Sequence, residues 1–403
     1  MEKRTEPSAV DARMKKDSQP RSQPSIASGI VVAILASAIC FGLGELVVRA
    51  LWKDSIVLFP RYHTAAQYGP VALRRLQPNT VFWHTSVDGS WQFRTNAQGF
   101  RDDEDWSIEK PAGQIRVLVL GDSNTQGFEV RQEQTYSAVM QRALRRRGLD
   151  AKVMNSGVSG FGTAEELAFL ENEGIRFAPD AVVLGFFGND FEDNVKAGLF
   201  ALHGGALTQQ KDSHLPGVGV LRVINAIPGV SWLSENSYLY ALALNTTWEA
   251  AKTFLLERSK AELATEYAVP QGEPKAGGDF QLALRLIERM SEFCRSRGIP
   301  LIVIDVPLPE HLFPDASTPP SELLAFRSSV PDELVDGFRR ASDAYLASGT
   351  LLGPWAGVAE IHVPHGYRHI GEFTHLVLGM AAADAVAAAL NPNDPQRTSA
   401  EIR

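Results

Sequence analysis

Cysteine is nearly absent from the chain, which has two in 403 residues, Cys40 and Cys294. Cys40 lies in an apolar run and Cys294 in a predicted helix, so the sequence contains no disulfide framework of the kind that stabilises small secreted domains. The chain also has no excess of basic residues: it contains 39 Lys and Arg and 47 Asp and Glu, which gives a net charge of −8. This balance argues against binding of nucleic acid.

Phosphate-binding glycine loops are missing as well. Gly157, Gly160 and Gly162 do not have the spacing of either nucleotide-binding fingerprint. We therefore predict no cofactor. The remaining composition is that of a globular protein, 44% hydrophobic and 21% charged, in a chain long enough to bury a full core.

One long hydrophobic run lies near the N-terminus. Residues 22–44 carry no charge, and an α-helix formed by them is long enough to cross the roughly 30 Å hydrocarbon layer of a membrane. Six Lys and Arg residues precede the run and fewer follow it closely, so the positive-inside rule places the N-terminus in the cytoplasm and the rest of the chain outside. Ala36-Ser37-Ala38 resembles a signal-peptide cleavage site, which is the alternative, but the apolar run continues past it and favours a retained anchor in the inner membrane.

Strand and helix patterns alternate after an aromatic, turn-rich lead-in, in which Trp91–Thr95 reads as a strand. Repeated βα units predict an α/β fold with a doubly wound, mainly parallel sheet in a three-layer sandwich. The predicted strands are 116–120, 152–154, 181–187 and 300–306, and the predicted helices follow Gln132, begin at Thr163, and cover 281–297 and 376–390. The predicted division is a cytoplasmic tail 1–24, a transmembrane signal-anchor helix 25–51, the lead-in 52–110, a main domain 111–393 with an insertion at about 200–278, and a polar tail 394–403.

Polar residues follow the ends of three predicted strands and precede the last predicted helix. The four segments are Gly121-Asp122-Ser123, the turn that ends at Gly160, Gly188-Asn189-Asp190, and Glu372-Phe373-Thr374-His375. Ligands bind at the carboxyl ends of parallel strands, so we expect these segments to meet. Acyl transfer requires a nucleophile, a base, a group that orients the base, and donors for an oxyanion. Each of these roles has a candidate here.

The same four segments, in the same order, resemble the SGNH (GDSL) hydrolase superfamily of esterases, lipases and acyltransferases over roughly residues 111–390. The sequence Arg94–Arg101 and the single span resemble the membrane-anchored bacterial members. The resemblance implies Ser123 as the nucleophile and His375 as the general base, with Glu372 orienting it. It also implies an oxyanion hole formed by the backbone N–H of Ser123, the N–H of Gly160 and the side-chain amide of Asn189.

The sequence departs from the family pattern at three positions, one of which is Gly379, one residue closer to His375 than the pattern has it. Family members usually carry Asp three residues before the histidine, where this chain has Glu372, and Gly two residues before the asparagine, where it has Phe187. His369 is therefore an alternative base. A metal site is a further alternative, because His362, His365 and His369 cluster with Glu360 and Glu372, although Pro364 and Gly366 interrupt the cluster. We predict no metal, and structural roles for Asp122 and Asp190.

These observations predict an extracytoplasmic, membrane-anchored serine ester hydrolase or O-acyltransferase that acts through an acyl-enzyme. Its substrates would be acyl esters, and its location suggests esters of envelope polysaccharide or lipid. The alternative is a non-catalytic glycan-binding or assembly protein on the same scaffold, motivated by Glu372 and Phe187. The apolar residues 218–256 of the insertion are a candidate surface for a membrane partner.

Overall fold

The computed structural model describes residues 26–247, 250, 254, 278–310, 325–365 and 369–391. The predicted tails 1–24 and 394–403 lie outside the described residues, as does most of the predicted insertion beyond residue 247. The chain divides after Leu51 into two compact units.

Helix α1, Ile26–Trp52, makes up the described part of the first unit. The most apolar 18-residue window of this helix has a mean hydropathy of 2.5, and no residue of that window is buried. Its length and composition suit a membrane anchor or a signal sequence. The only charged side chains in the helix, Glu45 and Arg49, form an ion pair one turn apart near its end.

The second unit begins with the lead-in, which forms four strands. They are β1 His63–Tyr68, β2 Val71–Leu76, β3 Val81–Ser86 and β4 Gly89–Arg94. β1 pairs with β2 and β3 pairs with β4, both antiparallel, and the predicted strand at Trp91–Thr95 corresponds to the second half of β4. Phe59, Tyr62, Phe82 and Phe93 form a small aromatic core beneath the β3–β4 hairpin. The lead-in is thus a β-containing segment with a core of its own.

A five-stranded parallel sheet follows, in the order β6-β5-β7-β11-β14. Its strands are β5 Ile115–Gly121, β6 Ala151–Asn155, β7 Ala181–Phe186, β11 Leu301–Asp305 and β14 Ala344–Leu346. The smaller strands are β8 Phe200–His203, β9 Ala206–Gln209, β10 Ser213–His214, β12 Leu308–Pro309 and β13 Phe326–Arg327. The strand order is that of the doubly wound flavodoxin-like sheet, and it confirms the predicted fold class.

Helices cover both faces of this sheet. The described helices of the second unit are α2 Ser123–Gln126, α3 Tyr136–Arg146, α4 Thr163–Asn172, α5 Asp190–Ala197, α6 Val218–Asn225, α7 Val230–Asn236, α8 Gly278–Arg295, α9 Asp332–Arg340, α10 Ser348–Leu352 and α11 Glu372–Leu390, with a further helical stretch at 238–247. Of these, α6 lies against β1 and α7 against β3 of the lead-in. α3 and α11 pack against alternate residues of β5, such as Val117 and Val119. α4, α5, α8 and α9 pack on the other face, against Leu118 and Leu120. A strand covered on both faces needs a continuous run of apolar residues, which β5 has at residues 117–120.

β5 occupies the switch point of the sheet. The chain leaves β5 for β6 on one side and returns to β7 on the other, so the carboxyl end of β5 opens into a crevice between two outgoing loops. The turn at this end is tight, because Gly121 has φ +152 and Thr125 Oγ1 lies 2.6 Å from the hydroxyl of Tyr136 on α3. The sequence after β5 is therefore held close to the sheet.

We expect Gly121→Ala to destabilise the second unit. An added Cβ would lie 1.8 Å from Thr125 Oγ1 and 3.1 Å from the Gly185 carbonyl, in a backbone conformation that favours glycine. Crowding and backbone strain together predict a loss of about 2–5 kcal/mol, seen as a lower Tm in thermal unfolding. Gly349→Ala is the control, because a Cβ there meets nothing within 4 Å. Equal Tm values for the two variants would contradict this account of the turn.

Candidate active site

Ser123 is the first residue of helix α2, directly after the turn that ends β5. Asp122 caps this helix by accepting a 2.8 Å hydrogen bond from the backbone N–H of Asn124. The cap fixes the backbone around Ser123, which is buried at the carboxyl end of β5. The predicted nucleophile therefore sits at the position where this class of sheet binds its ligands.

His369 is the histidine that reaches Ser123. Its Nε2 lies 3.0 Å from Ser123 Oγ, and its ring packs against Phe128 at 4.4 Å between centroids. The next residue, Ile370, donates its backbone N–H to Asn124 Oδ1 at 3.1 Å. This bond ties the segment that carries the imidazole to the helix that carries the hydroxyl. The alternative base from the sequence is thus the one that the structure brings to the nucleophile.

His375, predicted as the general base, does not reach Ser123. It lies in the first turns of α11 with its side chain fully buried, and its Nδ1 accepts a 3.0 Å hydrogen bond from the backbone N–H of Tyr136 at the start of α3. Burial lowers the pKa of His375 to about 3, so it is neutral near pH 7. The correction has a simple cause: α11 begins at Glu372, and His375 joins the buried face of that helix.

Glu372, predicted to orient the base, faces away from both histidines. Its carboxylate accepts hydrogen bonds from the backbone N–H, Nε and Nη2 of Arg131, and these bonds lower its pKa. Arg131 is largely exposed in this pair. Glu372 is therefore corrected to a partly exposed link between α11 and the loop before α3.

The two remaining oxyanion candidates follow the strands on either side of β5. Gly160 lies in the turn after β6 with φ +73, a conformation that favours glycine, and Arg74 donates to the neighbouring Ser159 carbonyl. Asn189 lies directly before α5, and its amide Nδ2 donates to Asp193 at 2.8 Å. One amide hydrogen of Asn189 remains for a substrate. Their part in an oxyanion hole stays a prediction.

Several carboxyl groups are buried behind the nucleophile. Burial raises the pKa of Asp122 to about 6 and raises the pKa values of Glu166 and Asp190, and the negative charge of Asp193 raises all three pKa values further. Asp122 caps α2, and Asp190 accepts a hydrogen bond from the Thr163 hydroxyl at the start of α4. These bonds give the two aspartates structural roles, as the sequence predicted.

Sequence reasoning missed Glu129, a buried carboxylate beside the base. Its Oε2 lies 3.5 Å from His369 Nδ1, and its backbone has φ +61. It also missed Arg101, whose guanidinium donates to the carbonyls of Gln126, Gly127 and Val130 around Glu129. Arg101 ends the Arg94–Arg101 stretch that prompted the comparison with membrane-anchored proteins, but nothing in the local pattern indicates what either side chain contacts.

The histidines of the metal alternative have separate partners. His362 Nε2 lies 3.0 Å from the Pro307 carbonyl, His365 Nδ1 lies 2.7 Å from Asp88, and His369 faces Ser123. No group of three or more His, Cys, Asp or Glu that could hold a metal occurs among the residues that the structure describes.

We expect His369 and His375 to respond differently to substitution by asparagine. His369→Asn removes the group beside Ser123 Oγ and should lower kcat for a small ester by about 10³ or more. His375→Asn keeps an acceptor for the Tyr136 N–H and should leave kcat within about threefold of wild type. Steady-state turnover of a nitrophenyl ester gives kcat for both variants. A larger loss of kcat in His375→Asn than in His369→Asn would show that His375 is the base.

His375→Asn should also change how stability depends on pH. The folded protein holds His375 with its pKa lowered to about 3, so the unfolded chain binds more protons between that value and the usual 6.5. The stability contributed by the neutral ring is therefore full above pH 6.5 and is lost as the pH falls towards 3. Wild type should lose more Tm than the variant between pH 7 and 4.5, while the buried acids act equally in both.

Comparison with known proteins identifies a family for part of the chain. The model of the GDSL-like lipase/acylhydrolase family matches residues 119–327, just over half of the chain. No curated protein sequence matches the chain.

Solved structures with similar chains include several esterases. The chain shares 16% sequence identity with TesA, whose crystal structure matches it with a TM-score of 0.34 over 69% of this chain and 98% of that one. It is 12% identical to a mutant of the acetyl-xylooligosaccharide esterase Axe2 from Geobacillus, with a TM-score of 0.36 over 68% and 94%. The psychrotrophic esterase EstA from Pseudoalteromonas sp. is 11% identical, with a TM-score of 0.33 over 68% and 98%.

The family assignment rests on the family match rather than on these low structural similarities. The matched residues contain the end of β5, the Ser123 turn and the segment with Asn189. The chain belongs to the GDSL-like lipase/acylhydrolase family and is a serine ester hydrolase.

Proposed function

We propose that the protein is a membrane-anchored, extracytoplasmic esterase or O-acyltransferase that works through an acyl-enzyme on Ser123. The observation that carries the proposal is the 3.0 Å separation between Ser123 Oγ and His369 Nε2. This is the distance at which an imidazole takes the proton of an attacking hydroxyl. The location of the pair at the carboxyl end of β5 supports the same assignment.

The reaction proceeds in two displacements. Ser123 Oγ forms a bond to the ester carbonyl carbon while its proton moves to His369 Nε2, and the carbonyl electron pair moves onto oxygen. The N–H groups of Ser123 and Gly160 and the amide of Asn189 are the proposed donors to this oxyanion. Collapse breaks the bond to the leaving alcohol, which takes the proton from His369 and leaves an acyl group on Ser123.

The second displacement decides between hydrolysis and transfer. His369 removes a proton from water or from an acceptor alcohol, whose oxygen then attacks the acyl carbon and releases Ser123. Water yields an acid, and an alcohol yields a new ester. Both outcomes use the same residues, so the proposal covers both.

The proposed substrates are acyl esters of envelope polysaccharide or lipid. Support comes from the apolar helix α1, which is long enough to hold the enzyme at a membrane, and from the basic residues that precede it in the sequence. An enzyme tethered in this way meets ester groups at the membrane surface or on the polymers next to it.

Ser123→Ala should abolish covalent labelling by a fluorophosphonate and lower kcat for acetyl and longer acyl nitrophenyl esters by at least about 10³. The reason is that the variant has no oxygen to form the acyl-enzyme. Measurements use the full chain in detergent, and Ser296→Ala, at an exposed helix end, is the control.

Two results would overturn the proposal. One is a correctly folded wild-type protein that is neither labelled nor active on any of these esters. The other is a Ser123→Ala variant with wild-type turnover. Adding a sugar alcohol as acceptor then separates the two reactions, because a transferase forms the new ester at the expense of free acid.

The anchor leads to a prediction about the mature protein. The intact mass of protein extracted from membranes should correspond to the uncleaved chain, because the apolar run continues beyond Ala38. Alkaline phosphatase fused after Arg403 should be active, since it folds only outside the cytoplasm. A mass that corresponds to a chain beginning after Ala38 would show that a signal peptide had been cleaved. An inactive fusion would show that the C-terminal part of the chain lies in the cytoplasm, opposite to the proposed topology.

A further inference from the structure

Buried polar atoms without hydrogen-bond partners lie together next to His369. They are His369 Nδ1, Glu129 Oε1 and both ring nitrogens of His84, counted within the part of the chain that the structure describes. Glu129 Oε2 lies 3.5 Å from His369 Nδ1, and Glu129 Oε1 lies 3.9 Å from His84 Nε2. Buried polar groups are nearly always paired. A contraction of about 0.5–1 Å would pair all three side chains with one another.

Glu129 is held in a conformation that the chain alone would not favour. It is 3% exposed and its φ of +61 lies in the left-handed region, which costs a residue other than glycine about 1–3 kcal/mol. Arg101 fixes the backbone on both sides, because it donates to the carbonyls of Gly127 and Val130 while its guanidinium stacks on Phe93. Strain that is held so firmly beside a reacting pair points to a functional position.

His84 reaches this carboxylate from the lead-in. It lies on β3 with no exposed surface, and its ring is enclosed by the aromatic rings of Phe59, Trp91, Phe93 and Phe128. Burial lowers its pKa well below the usual value, so the ring is neutral and carries one N–H. A neutral donor can hold Glu129 in place without neutralising its charge.

The sequence around the base supplies no other carboxylate for this role. Gly366 stands three residues before His369, where family members usually carry Asp. Glu372 is bound by Arg131, and Asp122 lies on the serine side of the pair, 3.5 Å from Ser123 Oγ. Glu129 is the carboxylate that faces the second ring nitrogen of His369.

We propose that Glu129, held by the buried imidazole of His84, orients His369, so that the lead-in strand β3 supplies a positioning residue to the active site. The inference rests on the proposed function, because an oriented base presupposes that His369 deprotonates Ser123. Once the contraction brings these atoms together, His369 Nδ1–H donates to Glu129 Oε2, and His84 Nε2–H donates to Glu129 Oε1. When His369 Nε2 takes the serine proton, the carboxylate stays ionised and stabilises the imidazolium.

The first test compares Glu129→Gln and Glu129→Asp with wild type in the full chain. Glu129→Gln keeps the shape but removes the charge, so kcat should fall about 10³-fold or more while KM stays within about threefold. The acid limb of the kcat/KM profile should move to lower pH, because the imidazolium loses its neighbouring negative charge. Glu129→Asp keeps the charge and should restore part of kcat and the position of the limb.

The position of the acid limb depends on all the charged and titratable groups around His369. The electrostatic neighbours of the ring are Asp122 at the end of β5, Glu129 after α2, His84 on β3, His362 before the base, His375 on α11, and Arg101 close to His84 and His375. Only Glu129 changes in these variants. A shift that appears with Gln and is absent with Asp is therefore assigned to its charge.

The second test addresses His84. His84→Phe fits the aromatic enclosure but removes the N–H, and should lower kcat about 10- to 100-fold, whereas His84→Gln keeps a donor and should recover much of it. His63→Phe is the matched control, because His63 is also a buried lead-in histidine, on β1, with unpartnered ring nitrogens in the described structure. The control should retain wild-type kcat.

The outcomes separate the two proposals. If Ser123→Ala is inactive while Glu129→Gln keeps wild-type kcat and the wild-type acid limb, the orienting role is wrong and the proposed function stands. Equal kcat for His84→Phe, His63→Phe and wild type would show that His84 has no part in orienting His369. If His84→Phe does not fold, His84→Gln decides: wild-type-like kcat supports a donor at this position, and a loss as large as that of Glu129→Gln contradicts it.

Discussion

The contact between Ser123 and His369 requires segments at opposite ends of the domain to meet at one edge of the sheet. Two hydrogen bonds hold that meeting: Asp122 caps the helix that begins at Ser123, and Asn124 accepts the backbone N–H of Ile370. Both involve the four-residue helix α2, which is tied to α3 by the hydrogen bond between the hydroxyls of Thr125 and Tyr136. The parallel sheet supplies the crevice, and this short helix aligns the two reacting groups within it.

Local patterns in the sequence are sufficient to predict the sheet and the place of Ser123 at its edge. β5 contains the apolar run 117–120, α3 has its buried residues at helical spacing, and Ser123 lies between them, so each inference needs only a few neighbouring residues. The base could not be chosen in this way, because the choice depends on where α11 begins. One signal was available: His375, Leu378, Ala382 and Val386 are spaced as one helical stripe, and all are buried. A histidine in such a stripe belongs to the core, which leaves His369 before the helix.

The surroundings of His369 had no local signal at all. Glu129 adopts a left-handed backbone that no sequence rule assigns to glutamate, and Arg101 and His84 reach it from the lead-in. Their contacts depend on how the β3–β4 hairpin and its aromatic core pack near Phe128. Such non-local packing is set by the folded shape rather than by any window of residues. The lead-in was therefore predicted as a β-containing segment without any role in the site.

The proposed orienting carboxylate, Glu129, follows the helix that carries Ser123 rather than lying three residues before His369. Its distance from His369 therefore depends on parts of the fold other than one short loop. In the usual family arrangement one short loop carries both the acid and the histidine, so their spacing is set by a few bonds. In this chain the acid follows α2 and the base precedes α11, and their separation depends on Arg101, on the Asn124–Ile370 bond and on the ring stack of Phe128 with His369. Arg101 and His84 both come from the lead-in. An ordered lead-in is therefore a precondition for an oriented base, which couples the folding of residues 52–110 to the chemistry at Ser123.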